Sequence, residues 1–413
     1  MAETGLPNCN NTCFMSASFQ MLYSMKEFRD EIMTTDWNHE KFNSFSDIEK
    51  VKALKEIFTL MNNVKDVKGW GTQTASNTLG SYNPDHPRHK LIKAKTELIK
   101  LVKNESNKVV DALGTQHDVT ELINLLLETM NTVEPTVSPT EERKISKFYY
   151  VKQESISYCK KGSEDLVLED QPIVAQNLIN LSFNGKGNIE GSITEAEKEE
   201  EVEKMDRCDD LNKEYKSIEY IPYSKITLTI PETNKYVIIA LKRFDDQVNR
   251  VVDAKFKVEH DLTIDKKKFS LIGAVLHGGE NRTFGHYIYQ TYNSGKILNT
   301  YNDGSKGAGE ENATWSRKKM TLNLNSYVLL YKRDEAAEAA AAAAAASTVA
   351  AAPVAAESGS KEITSIILNF GGKREEYKNF LDFNVVGKKE GGKKSRKPKS
   401  KKKRLRKTRR RKN

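Results

Sequence analysis

Two cysteines stand where a polar loop gives way to an apolar helix near the start of the chain. The segment "GLPNCNNTCFMSASFQMLYSM", residues 5–25, contains Cys9 and Cys13. Asn11 or Thr12 is predicted to cap a helix that starts near Cys13, because Asn and Thr favour the N-cap position. Amide groups and the dipole at a helix N-terminus stabilise an anion and lower the pKa of a thiol placed there. The position suits a nucleophilic thiolate, and a buried or incidental thiol is the alternative.

A catalytic thiol needs a base that lies near it in space rather than in sequence. Of the seven histidines, His286 in "FGHYIYQTY" opens an alternating aromatic strand, and "YNDGS" follows. The interval allows a strand, a turn and a return strand, so Asn302 or Asp303 could lie beside His286. His277 in the Gly-rich "LHGGE" is the rival base. The alternative is a histidine packed in a sheet and an ordinary Asn-Asp-Gly turn.

The elements that must position these residues change type along the chain. The first 145 residues are mainly helical in pattern, and "VTELINLLLETM" carries an apolar stripe formed by Val119, Leu122, Ile123, Leu126 and Leu127. From about Tyr149 the pattern predicts strands, in "LVLED", "KITLTI", "KYVIIALKRF", "FSLIGAVLH", "GHYIYQTY" and "SYVLLY". Helices followed by strands indicate an α+β fold. The charged stretch at 193–207 is predicted to be a solvated helix.

Composition narrows the class of protein. A chain of 413 residues, 38% hydrophobic and 30% charged, can bury a sizeable core. The chain begins without a signal-peptide pattern, and its strongly apolar stretches are too short to cross a bilayer, so no membrane association is expected. Four cysteines are too few to staple a chain of this length. Free thiols in an intracellular, reducing compartment, either the cytoplasm or the nucleus, are therefore expected.

The C-terminal region differs in composition from the rest. After Arg333 comes an Ala-rich spacer at 334–360, then a segment at 361–386 with a predicted strand and short helix but no assigned role. From Lys388 onward there are 17 Lys or Arg residues and one acidic residue, so the tail carries +16 and the rest of the chain −7, for a net +9. The tail, residues 387–413, is predicted to be disordered. It suits nuclear import or non-specific binding of nucleic acid or another polyanion.

Five segments in order along the chain resemble the sequence boxes of the ubiquitin-specific proteases, which are papain-like thiol hydrolases. They are "GLPNCNNTCFMSASFQ", "QHDVTEL", "YVIIALKRF", "FSLIGAVLHGGENRTFGHYIYQ" with "YNDGS", and "SYVLLY". The resemblance covers roughly residues 4–333. It implies a catalytic domain at 1–333, with a helical thumb at about 1–145, β fingers at about 146–225 and a palm at about 226–333.

The resemblance also implies roles for individual residues. Cys13 matches the nucleophile, His286 the general base and Asn302 the residue that orients the imidazole. Asn8 matches the side chain that helps the backbone N–H of Cys13 to hold the oxyanion, and Asp303 an acidic neighbour that supports the orienting residue. The implied reaction cleaves the bond after the C-terminal Gly of ubiquitin through a thioester, without a cofactor. A protein that binds ubiquitin without cleaving it is the alternative.

The second box implies substrate contacts. Asp118 and Glu121 are three residues apart, on one face of a predicted helix. With Gln116 they are expected to line the channel for the arginine-bearing tail of ubiquitin, because carboxylates form charge-assisted pairs with Arg. The alternative is an ordinary solvated acidic pair. Ubiquitin or ubiquitinated proteins are the implied partners.

The chain departs from the family pattern beside the nucleophile. Asn10 stands where the family usually has Gly, and Ser16 and Ala17 stand where it usually has Asn and Ser. Cys9 occupies a variable position and is expected to be a bystander. A non-Gly residue in a tight loop can strain it, although Asn tolerates positive φ better than most residues. The altered cysteine box therefore leaves a reduced hydrolase activity as one of the expectations.

The fingers depart from the pattern as well. The family often binds a structural zinc there through two C-x-x-C pairs, but Gly162 and Leu211 stand where the partners of Cys159 and Cys208 would be. Two thiols do not complete a four-ligand zinc site. The sequence therefore predicts zinc-free fingers held by packing alone.

Overall fold

The computed structural model describes residues 5–8, 12–38, 42, 44–63, 87–103, 117–133, 146–161, 164–170, 174–182, 187–198, 200–201, 206–214, 220–244, 256–281, 284–311, 313–340, 366–370 and 373–377. Cys9, Asn10, Gln116 and the basic tail lie outside these residues, and so does most of the Ala-rich spacer. The chain divides into two compact units, residues 1–348 and 349–413.

The N-terminal part of the larger unit is helical, as its periodicity predicts. Its helices are α1 (Cys13–Ser24), α2 (Lys26–Thr34), α3 (Phe45–Asn63), α4 (Pro87–Lys103) and α5 (Val119–Thr132). The apolar stripe predicted for α5 is buried along its whole length. Every residue of α1 except Ser24 is also buried, so this helix is embedded between the other helices and the sheet. Burial on all sides fixes the place of its first residue, Cys13.

The rest of the larger unit consists of strands with short helices between them. A 3-10 turn covers Ser146–Phe148, and the helices are α6 (Ile189–Ala196), α7 (Asp206–Glu214) and α8 (Leu322–Asn325). The strands are β1 (Val151–Lys161), β2 (Glu164–Asp170), β3 (Val174–Gln176), β4 (Ile179–Leu181), β5 (Glu200–Glu201), β6 (Ile221–Thr229), β7 (Tyr236–Leu241), β8 (Asp261–Ile264), β9 (Lys267–Asn281), β10 (Phe284–Asn293), β11 (Lys296–Asn302), β12 (Ser305–Ala308), β13 (Thr314–Trp315), β14 (Lys318–Lys319) and β15 (Ser326–Arg333). This segregation of helices and strands confirms the α+β class.

An eight-stranded sheet carries the core. Its order is β12-β11-β10-β9-β15-β7-β4, and β8 pairs with β9. All six residues of β7 are buried because both faces of the sheet are covered. Tyr236 and Ile238 face the core shared with α1 to α5, whereas Val237 and Ile239 face a second core on the other side. Burying such side chains contributes about 1.5–3 kcal/mol each, so the sheet is a rigid platform.

A five-stranded sheet lies in the region predicted to be fingers. Its order is β2-β1-β6-β5, and β3 pairs with β1. The acidic stretch at 193–207 was predicted to be one solvated helix, and that prediction is wrong. The stretch begins in α6 and then forms β5, which pairs with β6 through Glu200 and Glu201. The edge of β6 offers unpaired backbone groups, and backbone pairing there overrides the helical preference of Glu.

Cys159 in β1 and Cys208 in α7 form a disulfide. The expectation of free thiols is therefore wrong for this pair, and so is the expectation that packing alone holds this sheet. The two Cα atoms are 5.7 Å apart across 49 residues of sequence, a proximity that a count of cysteines does not reveal. Both residues are fully buried and form a small separate cluster with Tyr220 and Leu211. An intracellular, reducing location stays a prediction.

Breaking this disulfide is expected to lower the free energy of unfolding by about 2–4 kcal/mol, because the cross-link limits the conformational entropy of the unfolded chain and its loss removes that limit. Urea denaturation of the Cys159→Ala/Cys208→Ala variant checks this. The wild-type midpoint is expected to fall on adding reductant, while the double variant is insensitive to it. A wild-type midpoint that reductant leaves unchanged would contradict the bridge.

In the smaller unit, β16 (Ile366–Phe370) and β17 (Lys373–Tyr377) form an antiparallel hairpin. Residues 366–370 of the predicted strand "EITSIILNF" form β16, and the rest of that segment lies outside the described residues. Residues 375–377, which were predicted to begin a short helix, belong instead to the return strand. Across the residues that the structure describes, every helix is too short or too polar to cross a bilayer. In the same described ranges, no three His, Cys, Asp or Glu side chains group as metal ligands would.

Candidate active site

Cys13 is the first residue of α1, as predicted, and its side chain is buried. Thr12 is the N-cap residue, but its side chain makes no capping bond. Asn8 supplies the local hydrogen bonds instead, since its Oδ1 accepts from the Thr12 backbone N–H at 2.8 Å and from the Thr12 hydroxyl at 3.2 Å. Sequence reasoning missed this role because the bond comes from four residues upstream of the usual capping position. The cap nevertheless leaves Cys13 at the end of the helix where amide N–H groups point outward.

His286 lies near the start of β10, and α1 packs on this strand. The neighbouring strand β11 ends at Asn302, and its Oδ1 lies 2.7 Å from Nε2 of His286. The side chain of Cys13 also acts on the imidazole, since it helps to raise the pKa of His286. Cys13, His286 and Asn302 are therefore brought together from three different elements. A strand, a turn and a return strand place His286 beside Asn302, which is one of the two arrangements that the sequence allowed.

The electrostatics favour a protonated imidazole. Burial opposes the charged form of His286, but its interactions with Cys13 and Asp303 and the hydrogen bond that it donates to Oδ1 of Asn302 outweigh burial and raise its pKa to about 9. At neutral pH the ring therefore carries its second proton. A charged imidazolium beside a thiol is the arrangement in which the thiolate form is stabilised.

Asp303 follows Asn302 in the two-residue turn to β12 and adopts a left-handed conformation, with φ of 48°. Its Oδ2 lies 3.8 Å from Nε2 of His286 and accepts a hydrogen bond from Nδ2 of Asn8 at 3.2 Å. Burial raises the pKa of the Asp303 carboxyl, and His286, Asn8 and Lys95 act in the opposite direction. Asp303 thereby links the loop before Cys13 to the strand that carries Asn302.

Gly5 allows this loop to lie against that turn. A Cβ at position 5 would come within 2.1 Å of the Asp303 carbonyl oxygen and 2.6 Å of the Ser305 carbonyl oxygen. Both contacts are with backbone atoms, which have little freedom to yield. The close approach of the two segments therefore requires glycine here.

The Gly5→Ala variant is expected to lose roughly 10- to 100-fold in turnover, because the loop with Asn8 must move away from Asp303 by a distance that catalysis does not tolerate. Turnover of a ubiquitin–fluorophore conjugate measures this, with the melting temperature as a check that the domain remains folded. Wild-type turnover in a folded Gly5→Ala protein would show that the close approach is not needed.

The rival base His277 lies on β9 and is buried in an aromatic group. Its ring centroid is 4.4 Å from that of Tyr287, 5.4 Å from that of Phe244 and 6.0 Å from that of Tyr327. A Cβ at Gly285 would come within 2.5 Å of Nε2 of His277, so glycine lets β10 approach β9 next to His286. The structure thus assigns His277 to the interior of the sheet and His286 to the site.

The acidic residues of the second box differ from each other in position. Asp118 precedes α5 as its N-cap, and its Oδ1 accepts from the backbone N–H of Thr120 at 2.8 Å. Its Oδ2 accepts a hydrogen bond from the hydroxyl of Tyr327. Glu121, in the first turn of the helix, is exposed. The prediction that Asp118 and Glu121 share one helical face is therefore wrong, because Asp118 lies before the helix as its N-cap residue. The spacing of "DVTE", which is that of a capping box, indicates this position in the sequence.

Comparison with known proteins decides the family. Residues 4–331 match the family model described as ubiquitin carboxyl-terminal hydrolase. This chain belongs to that family. The hydrolase is thus a deubiquitinating cysteine enzyme, as the resemblance of its sequence boxes implied. No curated protein sequence matches it.

Solved structures agree on the fold. The hydrolase is similar to a chain of the SAGA DUB module of Ubp8, Sgf11, Sus1 and Sgf73 bound to monoubiquitin, with a TM-score of 0.59 and 16% identity over 81% of the hydrolase and 71% of that chain. It is also similar to a chain of that module bound to ubiquitin aldehyde, with a TM-score of 0.55 and 16% identity over 80% and 70% of the two chains. The papain-like fold predicted from the resemblance is confirmed.

Proposed function

We propose that the hydrolase cleaves the isopeptide or peptide bond after the C-terminal Gly of ubiquitin, with Cys13 as nucleophile, His286 as acid and base, and Asn302 as the orienting residue. The observation that carries this proposal is the position of the His286 ring, which has its Nε2 2.7 Å from Oδ1 of Asn302 and lies close enough to Cys13 for that side chain to raise its pKa. An Asn orients the ring without adding charge, which suffices for a thiol nucleophile.

In the proposed reaction the Cys13 thiolate attacks the carbonyl carbon of the terminal Gly, and the electron pair of the C=O bond moves to oxygen. Collapse of this tetrahedral species breaks the C–N bond, and His286 gives its proton to the departing lysine amine. Water then attacks the thioester carbonyl and gives a proton to His286 as base, the C–S bond breaks, and ubiquitin leaves as its C-terminal carboxylic acid while Cys13 returns as a thiolate beside the protonated His286. The raised pKa of His286 supports its role as the acid of the first step, since the proton is in place at neutral pH.

Asn8 and the backbone N–H of Cys13 would hold the oxyanion. The side-chain amide of Asn8 has two N–H donors, and one of them is used by Asp303. The other can therefore serve the oxyanion while the first keeps the amide oriented. Loss of one such donor typically costs about 10²–10³ in turnover.

We assign the tail of ubiquitin to a channel that includes Gln116, Asp118 and Glu121. Glu121 is exposed, and its carboxylate suits a charge-assisted pair with an arginine of that tail. Asp118 would act mainly by holding the start of α5 and Tyr327, given the hydrogen bonds that it already makes. We also retain the domain assignment of thumb, fingers and palm over residues 1–333 as part of this proposal.

Full-length protein incubated with ubiquitin that carries a C-terminal electrophile tests the function. Intact mass spectrometry should find one ubiquitin added per chain, and peptide mapping should place it on Cys13. A ubiquitin-like modifier with the same electrophile, run in parallel, reports which modifier is the substrate. Ubiquitin binding without any adduct would favour the non-cleaving alternative, and absence of both would remove ubiquitin as partner.

A second proposal concerns the basic tail, residues 387–413, and rests on its charge of +16. Such density suits non-specific binding of nucleic acid or another polyanion, or nuclear import. Deleting these residues should lower the salt concentration at which the protein elutes from heparin and change its distribution between nucleus and cytoplasm. If neither changes, the tail has another role.

A further inference from the structure

A buried lysine lies beneath the loop that carries Asn8. Lys95 is on α4, and its side chain is only 2% exposed. Its Nζ donates to the carbonyl oxygen of Pro7 at 3.0 Å and to the hydroxyl of Ser16 at 3.1 Å, and lies 3.5 Å from the hydroxyl of Thr12. An ammonium group has three N–H donors, and these three oxygens are among its acceptors.

Burial of this charge needs a reason. Placing an ammonium group in the interior costs several kcal/mol unless hydrogen bonds and opposite charge offset the cost. Other lysines of α4, such as Lys93, lie on the exposed face, where their charge is solvated at no such cost. Lys95 alone among the described lysines of this helix is drawn into the core, at the level of the nucleophile.

The acceptors of Lys95 lie on both sides of Cys13 in the sequence. Pro7 immediately precedes Asn8, Thr12 immediately precedes Cys13, and Ser16 lies one turn further along α1. The hydroxyl of Ser16 also contacts the carbonyl oxygens of Leu6 at 3.4 Å and Thr12 at 3.3 Å. One ammonium group thus joins the loop before the nucleophile to the first turn of the helix that begins with it.

Ser16 is one of the departures from the family pattern noted in the sequence. A hydroxyl is shorter than the amide of Asn, and here it serves as an acceptor for Lys95. The charge of Lys95 also reaches the other side of the site, since it acts to lower the pKa of Asp303 against the larger effect of burial. Lys95 is therefore coupled to the loop, the helix start and the acidic neighbour of His286.

We propose that Lys95 is a positioning residue for the cysteine-centred site. It ties the loop of Asn8 to the first turn of α1, which holds the oxyanion donors in register, and it brings a positive charge to the start of the helix that begins with Cys13. This inference rests on the proposed function for its effect on turnover, and on the buried hydrogen bonds for its effect on the thiol itself.

The Lys95→Met variant of the full-length protein tests this, with Lys93→Met on the exposed face of the same helix as matched control and Lys95→Arg as conservative variant. Lys95→Met should lower kcat on a ubiquitin–fluorophore conjugate roughly 10- to 100-fold, with KM within about twofold, because the loop is misplaced and ubiquitin binding is not. The pH midpoint for alkylation of Cys13 by iodoacetamide should move upward. Lys93→Met should change neither, and Lys95→Arg should recover part of the lost kcat.

The alkylation profile is the readout that a merely structural role would not move. A Lys95→Met protein with unchanged kcat and an unchanged alkylation midpoint would overturn the proposal. It would also be overturned if kcat fell only because the variant unfolds at the assay temperature, with the alkylation midpoint unchanged. If Lys95→Met fails to fold, Lys95→Gln keeps donors but removes the charge, and its alkylation midpoint should still rise. Alkylation of Cys13 requires no ubiquitin. A protein without activity on ubiquitin would therefore contradict the proposed function, while the alkylation experiment would still test the role of Lys95.

Discussion

Replacement of Cys13 by Ala is expected to abolish both the ubiquitin adduct and the hydrolysis of ubiquitin conjugates, a loss of roughly 10⁴-fold or more in turnover. The reason is that Cys13 has a buried free thiol at the start of α1, close enough to the His286 ring to raise the pKa of that ring. Ala preserves the helix, since it is the best helix former, and removes only the sulfur. Intact mass spectrometry and a fluorogenic ubiquitin conjugate measure the two effects.

Cys9→Ala is the matched control for this variant, because it removes a thiol four residues away and leaves Cys13 in place. It should retain adduct formation and turnover. Cys13→Ala should still bind ubiquitin, which separates loss of chemistry from loss of the fold. An adduct that persists in Cys13→Ala, or disappears in Cys9→Ala, would show that the nucleophile has been assigned to the wrong cysteine.

The second large effect concerns His286. Its pKa is raised to about 9, so the ring keeps its proton through neutral pH and loses it above about pH 9. Because the protonated ring must supply the proton to the leaving amine, kcat/KM for an isopeptide substrate should fall along an alkaline limb near that pH. His286→Gln should remove this limb and lower kcat/KM by roughly 10²–10⁴-fold. The pH profile of kcat/KM for wild type and variant is the measurement.

Two neighbouring substitutions test the cause of the raised pKa in opposite directions. Asp303→Asn removes a negative charge that stabilises the imidazolium, so the limb should move to lower pH. Asn302→Asp adds a negative charge at the atom 2.7 Å from Nε2, so the limb should move to higher pH. If the wild type, Asp303→Asn and Asn302→Asp all show the alkaline limb at the same pH, the titrating group is not His286.

Much of the site's local structure could be predicted from short-range patterns. The polar loop before an apolar run predicted a helix beginning near Cys13, and the alternating aromatic strand before "NDG" indicated that Asn302 or Asp303 could lie beside His286. Helix caps and two-residue turns depend on a few adjacent residues, which makes them legible in one sequence. The position of Asp118 before α5 also depends on adjacent residues, because it follows from the capping-box spacing of "DVTE".

Other features depended on contacts between distant segments. Asn8 reaches Asp303 across 295 residues of sequence, and Lys95 reaches Pro7 across 88. The bridge between Cys159 and Cys208 is of the same kind. None of these pairs has a periodicity or a spacing that marks it, because each arises only after the sheet and helices have packed.

The α+β order of elements follows from the sequence by itself, through patterns a few residues long, and the resemblance of five sequence boxes to a known family implied the class of chemistry and the residues that carry it. Only the tertiary structure decided that aromatic side chains enclose the ring of His277, that a buried Lys95 bonds to the loop before the nucleophile, and that two thiols are joined. The physical reason is that burial, hydrogen-bond partners and local charge belong to a position in space, which the packing of α1 against β10 creates.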